Sequence, residues 1–367
     1  MTQIFNKINF NYLKKDNLYF LIIFLSSILI TVYYGYRGVY PIDSFLIFDG
    51  GYKVLNGIHP FKDYWSITGP LLDYIQSTLF FLFEVNWFSY VLHAALINCL
   101  LACISFYFFL ILGITKNHSL LYSLCISILA YPATGTPFMD HHAVIFAVLS
   151  IIFLILAFIK NKKKFWFFSS LFLVFSFFSK QIPSAYLGII LILINIIYIF
   201  YIKERKKNNN KFYIFGGIAG LLIFVFLFIL NKIPIQNFLI QYIYYPLTIG
   251  EERTTNIVFD IKNLLLQFKF VYLSLIPFAI ASFFLLKKSI KNLENKLDIL
   301  LITVVFSTFL IFIYTQLLTK NQVLIFFLIP FYLGISHYFI SKYFNKKIII
   351  NSMIVILIFT TAKYHLR

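Results

Sequence analysis

The sequence predicts an all-α membrane protein, a polytopic bundle of about eleven spanning helices with a large first outer loop that carries interfacial helices. Three observations predict it. Hydrophobic residues make up 61% of the 367 positions and charged residues only 12%, where a soluble domain carries about 25%. The mean hydropathy is +0.87, more apolar surface than one water-soluble core can bury, which sets aside soluble enzymes, disulfide scaffolds and disordered chains. Finally, the apolar residues fall in runs close to the roughly 20 residues that a spanning helix needs.

In chain order the runs lie near 18–34, 88–112, 119–133, 140–159, 165–179, 184–202, 212–230, 269–286, 298–318, 323–341 and 348–362. The first lacks the small-residue cleavage pattern of a signal peptide and is followed by further spans. The stretch 69–83 is apolar but short and carries Asp73. It opens on Gly69-Pro70, a good helix start, and reads as an interfacial helix. No soluble C-terminal domain is expected after the last run. The three cysteines, Cys99, Cys103 and Cys125, sit in apolar runs and read as small core residues without a disulfide framework.

The net charge is +18, from 31 basic and 13 acidic residues. With a cytoplasmic N-terminus, eleven crossings put 1–17, 113–118, 160–164, 203–211, 287–297 and 342–347 inside, and these hold 20 of the 31 basic residues. That is a positive-inside pattern. Runs such as Lys162-Lys163-Lys164 then read as anchors on anionic lipid, and the charge gives no argument for a nucleic-acid partner. The acids are more informative, since Asp43, Asp49, Asp63, Asp73 and Glu84 all fall within 35–87. An enzyme that needs a base has reason to gather carboxylates there; a pore or scaffold has not.

That loop has local order. Asp43 suits the N-cap of a helix over about 44–56, and Gly57 stands where a C′ glycine would end it. Asp49 and Lys53 are four apart and can pair. His59-Pro60 breaks the chain before Phe61-Lys62-Asp63-Tyr64-Trp65. Asp43 therefore reads either as a cap or as a base, Asp49 as a surface helix residue in preference to a catalytic one, and Asp63 either as a donor- or acceptor-binding residue or as a loop residue paired with Lys62 or Arg37.

A helix, then an outer loop with an early acid (Asp43), a glycine fourteen residues on (Gly57), Pro60-Phe61-Lys62-Asp63 and Gly69-Pro70-Leu71 together resemble the GT-C superfamily of polytopic glycosyltransferases. The likeness is to the protein O-mannosyltransferase and aminoarabinose-transferase-like branch, including the bacterial dolichyl-phosphate-mannose-protein mannosyltransferase-like family. It covers about residues 18–190. The resemblance implies transfer of a sugar from a polyprenyl-phosphate donor to a hydroxyl acceptor on a glycan, lipid or protein, at the outer side of the bacterial inner membrane. It implies Asp43 as general base on that hydroxyl, and a phosphate leaving group met by cations or hydrogen-bond donors. The chain departs from the aminoarabinose-transferase pattern at Ile67-Thr68-Gly69-Pro70-Leu71, where a lysine is absent, so Lys62 is one alternative phosphate contact.

Four further outer segments carry candidates. Asp140-His141-His142 follows Thr136-Pro137-Phe138-Met139; Asp140 caps the next helix, or the cluster binds donor or acceptor, or it holds a divalent metal. Adjacent histidines point apart on a helix, so a metal site using both needs loop geometry. The resemblance leaves the metal open. Lys180, followed by Gln181, stands alone between two apolar helices and must snorkel or pair unless it binds phosphate. In the second-largest outer loop, 231–268, Arg253 is one of four arginines in the chain; its guanidinium suits phosphate, or it pairs with Glu251 or Glu252. Lys320 is a candidate of the same kind.

No GxxxxGK[ST], GxGxxG or HExxH motif occurs, so ATP-driven, dinucleotide and zincin readings lack a site. A secondary transporter or lipid flippase is an alternative, but acidic pairs at span centres and matching halves are missing. An O-antigen polymerase or ligase is another; those tend to place the large outer loop late and to rely on arginine.

Overall fold

The computed structural model describes residues 17–38, 45–131, 135–202, 209–255, 257, 260–286, 293–320, 325–344 and 346–365. They form α1 (Asn17–Gly35), α2 (Leu46–Leu55), α3 (Leu71–Phe83), α4 (Trp87–Ile111), α5 (Lys116–Ala130), α6 (Met139–Lys160), α7 (Lys163–Ser179), α8 (Gln181–Tyr201), α9 (Lys211–Leu230), α10 (Ile235–Phe238), α11 (Tyr245–Thr255), α12 (Lys269–Leu286), α13 (Leu293–Thr319), α14 (Leu328–Tyr343) and α15 (Lys347–His365). The described residues contain no strand, so the all-α class holds. Seven helices, α1, α4, α6, α8, α9, α13 and α15, are long and apolar enough to cross a membrane. The chain is a multi-pass membrane protein in that sense.

Local sequence explains several helix ends. Asn86 caps α4 by accepting the Ser89 N–H at 2.8 Å, and Thr115 caps α5 toward His118. Both satisfy a donor that the first turn leaves open. Gly57 follows α2 with φ +78, as a terminating glycine should. The helix itself begins at Leu46, with Phe45 in the cap position and no side-chain cap bond. Asp43 lies outside the described residues.

The centre of the bundle is α6, apolar on every face and 94% buried over its span, as a helix without a polar face must be. Helices α4, α7, α8 and α13 pack around it. Helix α9 lies against α7 through Gly216 and Gly220, where a Cβ would strike the Phe167 carbonyl and the Val174 side chain. This is the small-xxx-small contact common between helices in lipid. On the other face of α9, Phe215, Leu221, Leu222, Phe226, Ile229 and Leu230 are exposed. A water-soluble protein does not leave such a continuous apolar face uncovered.

Helix ends sort into two sets. At one end, Tyr19 donates to Asn117 at 3.3 Å, Trp166 and Asn209 both donate to Asn161, Lys296 lies over the Tyr201 ring, and Lys342 meets Asp298 at 2.6 Å. At the other, Trp87 donates to the Gly35 carbonyl at 2.9 Å, Asn231 donates to the Tyr74 hydroxyl, Tyr34 bonds His365, and Phe326 stacks on Tyr364. The second is the loop end, and consecutive long helices alternate between the two.

Two segments gain detail. The described residues of 231–268 form short helical pieces, including π-helical turns at Leu239–Tyr244 and Lys262–Leu266. The ninth run extends backward to Leu293, which puts Asp298 inside α13 and buries it.

Candidate functional site at the loop end of the bundle

The segment 58–70 is held down at many points. Asp63 accepts the backbone N–H of His59 at 2.8 Å, closing a turn, and Lys62 lies 3.8 Å from the same carboxylate. Phe61 is fully buried against Phe228, Phe238 and Tyr242, and its carbonyl accepts from Asn237 at 2.9 Å. Ser66 donates its N–H to Gln241 at 2.9 Å. Gly69 donates to the Ser179 carbonyl at 3.1 Å, and a Cβ at Gly69 would collide with the Phe178 backbone. Gln181 then bridges the two outer segments, donating to the Ile67 carbonyl at 3.0 Å and the Tyr242 carbonyl at 2.7 Å. Tyr242 donates in turn to the Phe177 carbonyl. The first loop, the α7–α8 junction and the π-helical turn therefore form one interlocked surface.

At this junction stands the principal polar pair. Lys180 Nζ lies 2.6 Å from Asp140 Oδ1, with the two side chains 20% and 7% exposed. Asp140 is in the first turn of α6, but the cap position belongs to Phe138. The reading of Asp140 as a cap is therefore corrected: its carboxylate is turned to Lys180. The pairing also settles how a lone lysine is tolerated between two apolar helices, since a partner offsets its desolvation.

His141 and His142 are both buried in helical α6. His142 Nδ1 is 3.0 Å from the Phe138 carbonyl and 3.1 Å from the Tyr131 hydroxyl, while the His141 ring packs on Tyr131 and Phe138. The ring of His93, on α4, meets His142 with centroids 4.8 Å apart, and His93 Nδ1 bonds Gln76 Oε1 at 3.0 Å. Among the described residues no three His, Cys, Asp or Glu side chains come together as a metal would require. Both imidazoles have Tyr131 and Phe138 as neighbours, and His142 meets His93 as well.

A second polar cluster lies under α2. Gly50 and Gly51 let α2 lie directly on Asp73 and Gln76 of α3; a side chain at either glycine would strike them. Asp73 is 3% exposed and accepts from the Tyr64 hydroxyl at 3.0 Å. Burial pushes its carboxyl up to about 7; the Tyr64 bond opposes this, Asp49 adds to it and Lys53 opposes it. Lys53 pairs with Asp49 at 2.6 Å and lies over the Tyr64 ring at 4.8 Å. Beyond Asp73, α3 exposes Phe81, Leu82 and Phe83 at its C-terminal end.

Two further candidates lie on other elements. Arg253 is exposed on α11, and Lys320 is exposed just beyond α13 with φ +58. Sequence reasoning passed over Asp73 as a buried group, Gln76 and His93. The Gly50-Gly51 pair within an otherwise helical stretch was the available signal, because it marks a helix face under close approach.

No family model matches the chain, and no curated protein is significantly similar to it.

Proposed function

We propose that the protein is an inverting GT-C-type glycosyltransferase of the bacterial inner membrane, moving a sugar from a polyprenyl-phosphate donor to a hydroxyl acceptor on the outer side. The observation that carries this reading is the Lys180–Asp140 pair at 2.6 Å, beside the first-loop segment bonded to the same junction through Gly69 and Gln181. The Gly69-Pro70-Leu71 element of the first loop, Asp140 and Lys180 thus share one end of the bundle.

In this reading the chain crosses the membrane eleven times, with its N-terminus in the cytoplasm and the loop end outside. The alternation of helix ends supports it, as does the bond between Tyr34 and His365, which puts the ends of the first and last spans on one side. The lysines of 160–164 and 342–347 fall at the opposite end.

The chemistry needs a base, an acceptor oxygen and an anion site. Asp43 takes the proton of the acceptor hydroxyl as its oxygen bonds to the sugar C1. The C1–O bond to phosphate breaks with its electron pair on the leaving phosphate, giving inversion. Lys180 meets that charge, with Lys62, Arg253 and Lys320 as further cations around it.

The test is transfer from a radiolabelled polyprenyl-phosphate sugar by membranes containing the protein. Asp43→Asn is expected to lower transfer by a factor of roughly 10² to 10⁴, the usual contribution of a general base. Full activity in a folded Asp43→Asn protein removes the proposed base, and no transfer by the unaltered chain from any such donor sinks the reading.

A further inference from the structure

Two imidazoles meet where α4 and α6 pack together, and each is oriented by a group that can only accept. His93 Nδ1 is 3.0 Å from Gln76 Oε1, and the Gln76 amide nitrogen donates to the Ser89 carbonyl at 3.5 Å, which fixes the end of the amide that faces the ring. Nδ1 of His93 therefore carries the proton, and its Nε2 is left with a bare lone pair. His142 Nδ1 is 3.0 Å from the Phe138 carbonyl, so its Nε2 is bare as well. Both side chains are buried, and neither Nε2 has a partner among the described residues. Two enclosed lone pairs without donors are costly. An imidazole whose Nδ1–H is held by an oxygen acceptor is also the arrangement in which histidine ligates a metal through Nε2.

The spacing suits one ion. Two imidazoles bound at about 2.0 Å in a tetrahedral arrangement have ring centres about 5 Å apart; those of His93 and His142 are 4.8 Å apart, with their planes inclined at 69°. Charge then selects the ion. Both imidazoles are neutral, and the carboxylate two residues before His142, Asp140, is turned to Lys180 at 2.6 Å. A divalent ion would bury two uncompensated charges here, and the cost of burying an ion grows as the square of its charge. Hard monovalent ions call for oxygen ligands. Cu(I) is monovalent and takes imidazole and thioether. Met139, buried and three residues before His142, stands on the same side of α6. It brings a thioether, a soft donor beyond the His, Cys, Asp and Glu set.

We infer that His93 and His142, with Met139, form a buried Cu(I) site that joins α4 to α6. The site stands on its own ligands and does not depend on the transfer reaction. The competing soft groups are Cys99 and Cys103 on α4, with Sγ atoms 3.9 Å apart. A thiol must first lose its proton to ligate, whereas the two imidazoles are already held in the ligating form.

The experiment titrates the full chain, purified in detergent without oxygen, with Cu(I) against a chromogenic Cu(I) chelator. One equivalent is expected to bind. His93→Gln and His142→Gln should each weaken binding roughly tenfold or more, while Cys99→Ala/Cys103→Ala should leave the affinity unaltered. X-ray absorption at the copper edge of that cysteine variant should show nitrogen scatterers and one sulfur. Adding Met139→Leu, a change that conserves volume, should remove the sulfur, and this test stands even where a histidine variant fails to fold. No Cu(I) retained by the unaltered chain overturns the inference, as does unchanged affinity in folded His93→Gln. Loss of binding in the cysteine variant puts the ion on the thiols and overturns it too. So does a sulfur signal that persists with Met139→Leu, or Zn(II) bound as tightly as Cu(I), which would defeat the choice of a monovalent ion. Transfer assays are untouched by any of these outcomes, so the transferase reading stands or falls separately.

Discussion

Lys180 and Asp140, forty residues apart, meet at 2.6 Å where α6 and α8 both begin. The carboxylate is nearly enclosed, so the pair is held by mutual compensation and not by solvent. Removing the cation alone leaves a buried charge. Lys180→Met is therefore expected to cost about 3 kcal/mol, and Asp140→Asn less, because an amide is cheaper to bury. The double variant Lys180→Met/Asp140→Leu should recover most of that loss. Thermal unfolding in detergent across the four proteins reads the coupling, and simple additivity would show that the pair contributes nothing as a pair.

Asp73 predicts a pH dependence. Its folded-state value, about 7, lies above the ordinary 3.8, so the folded protein favours the protonated form. The stabilisation is complete below about pH 4 and is lost as pH rises through 7, with an upper bound of about 4 kcal/mol for a shift of this size. Asp73→Asn keeps an acceptor for Tyr64 and cannot ionise. Its unfolding temperature should fall less than that of the unaltered chain between pH 5 and pH 8. Parallel profiles would mean that Asp73 is not the titrating group.

At the opposite end, Lys342 joins α14 to α13 through Asp298 at 2.6 Å and Glu294 at 2.9 Å, and Tyr343 donates to Asp298 as well. Asp298 is 2% exposed and Glu294 58%. Lys342→Met should therefore destabilise by about 3 kcal/mol, while Glu294→Gln should change stability by less than about 1 kcal/mol. Chemical denaturation in mixed micelles distinguishes them, and equal losses would contradict the burial argument.

These contacts show what the sequence carries and what it does not. Spanning helices are legible because hydropathy is one-dimensional: a run of apolar residues needs no partner to be recognised. Lys180 and Asp140 were both visible as polar groups beside apolar runs, but their pairing depends on how α6 and α8 are laid against each other. Asp73 was misleading for a related reason. A carboxylate on a short amphipathic helix reads as solvent-facing, and only the approach of α2 over Gly50 and Gly51 buries it. Asp298 stood at the first position of its apolar run, and its burial follows from α13 beginning more than one turn earlier, at Leu293. Asp43, central to the resemblance, lies outside the described residues, so its role rests on sequence.

Gly69 offers the sharpest test of the interlocked surface. Its N–H bonds the Ser179 carbonyl at 3.1 Å, and its missing side chain leaves room for the Phe178 backbone. Gly69→Ala puts a methyl group into that backbone, which cannot rotate away as a side chain could, so the segment must lift. The bonds from Gln181 to Ile67 and from Ser66 to Gln241 should then be lost together. Losing two hydrogen bonds of about 1 kcal/mol each, with some strain, predicts a loss of 2 to 4 kcal/mol. Hydrogen exchange should localise it, with faster exchange at 66–69 and 179–184 and unchanged protection in α13 and α14. Gly250→Ala, at a glycine with open space around it, is the control and should leave exchange at all of these positions unaltered. Wild-type protection at 66–69 in Gly69→Ala would mean that the first loop is not anchored on the α7–α8 junction.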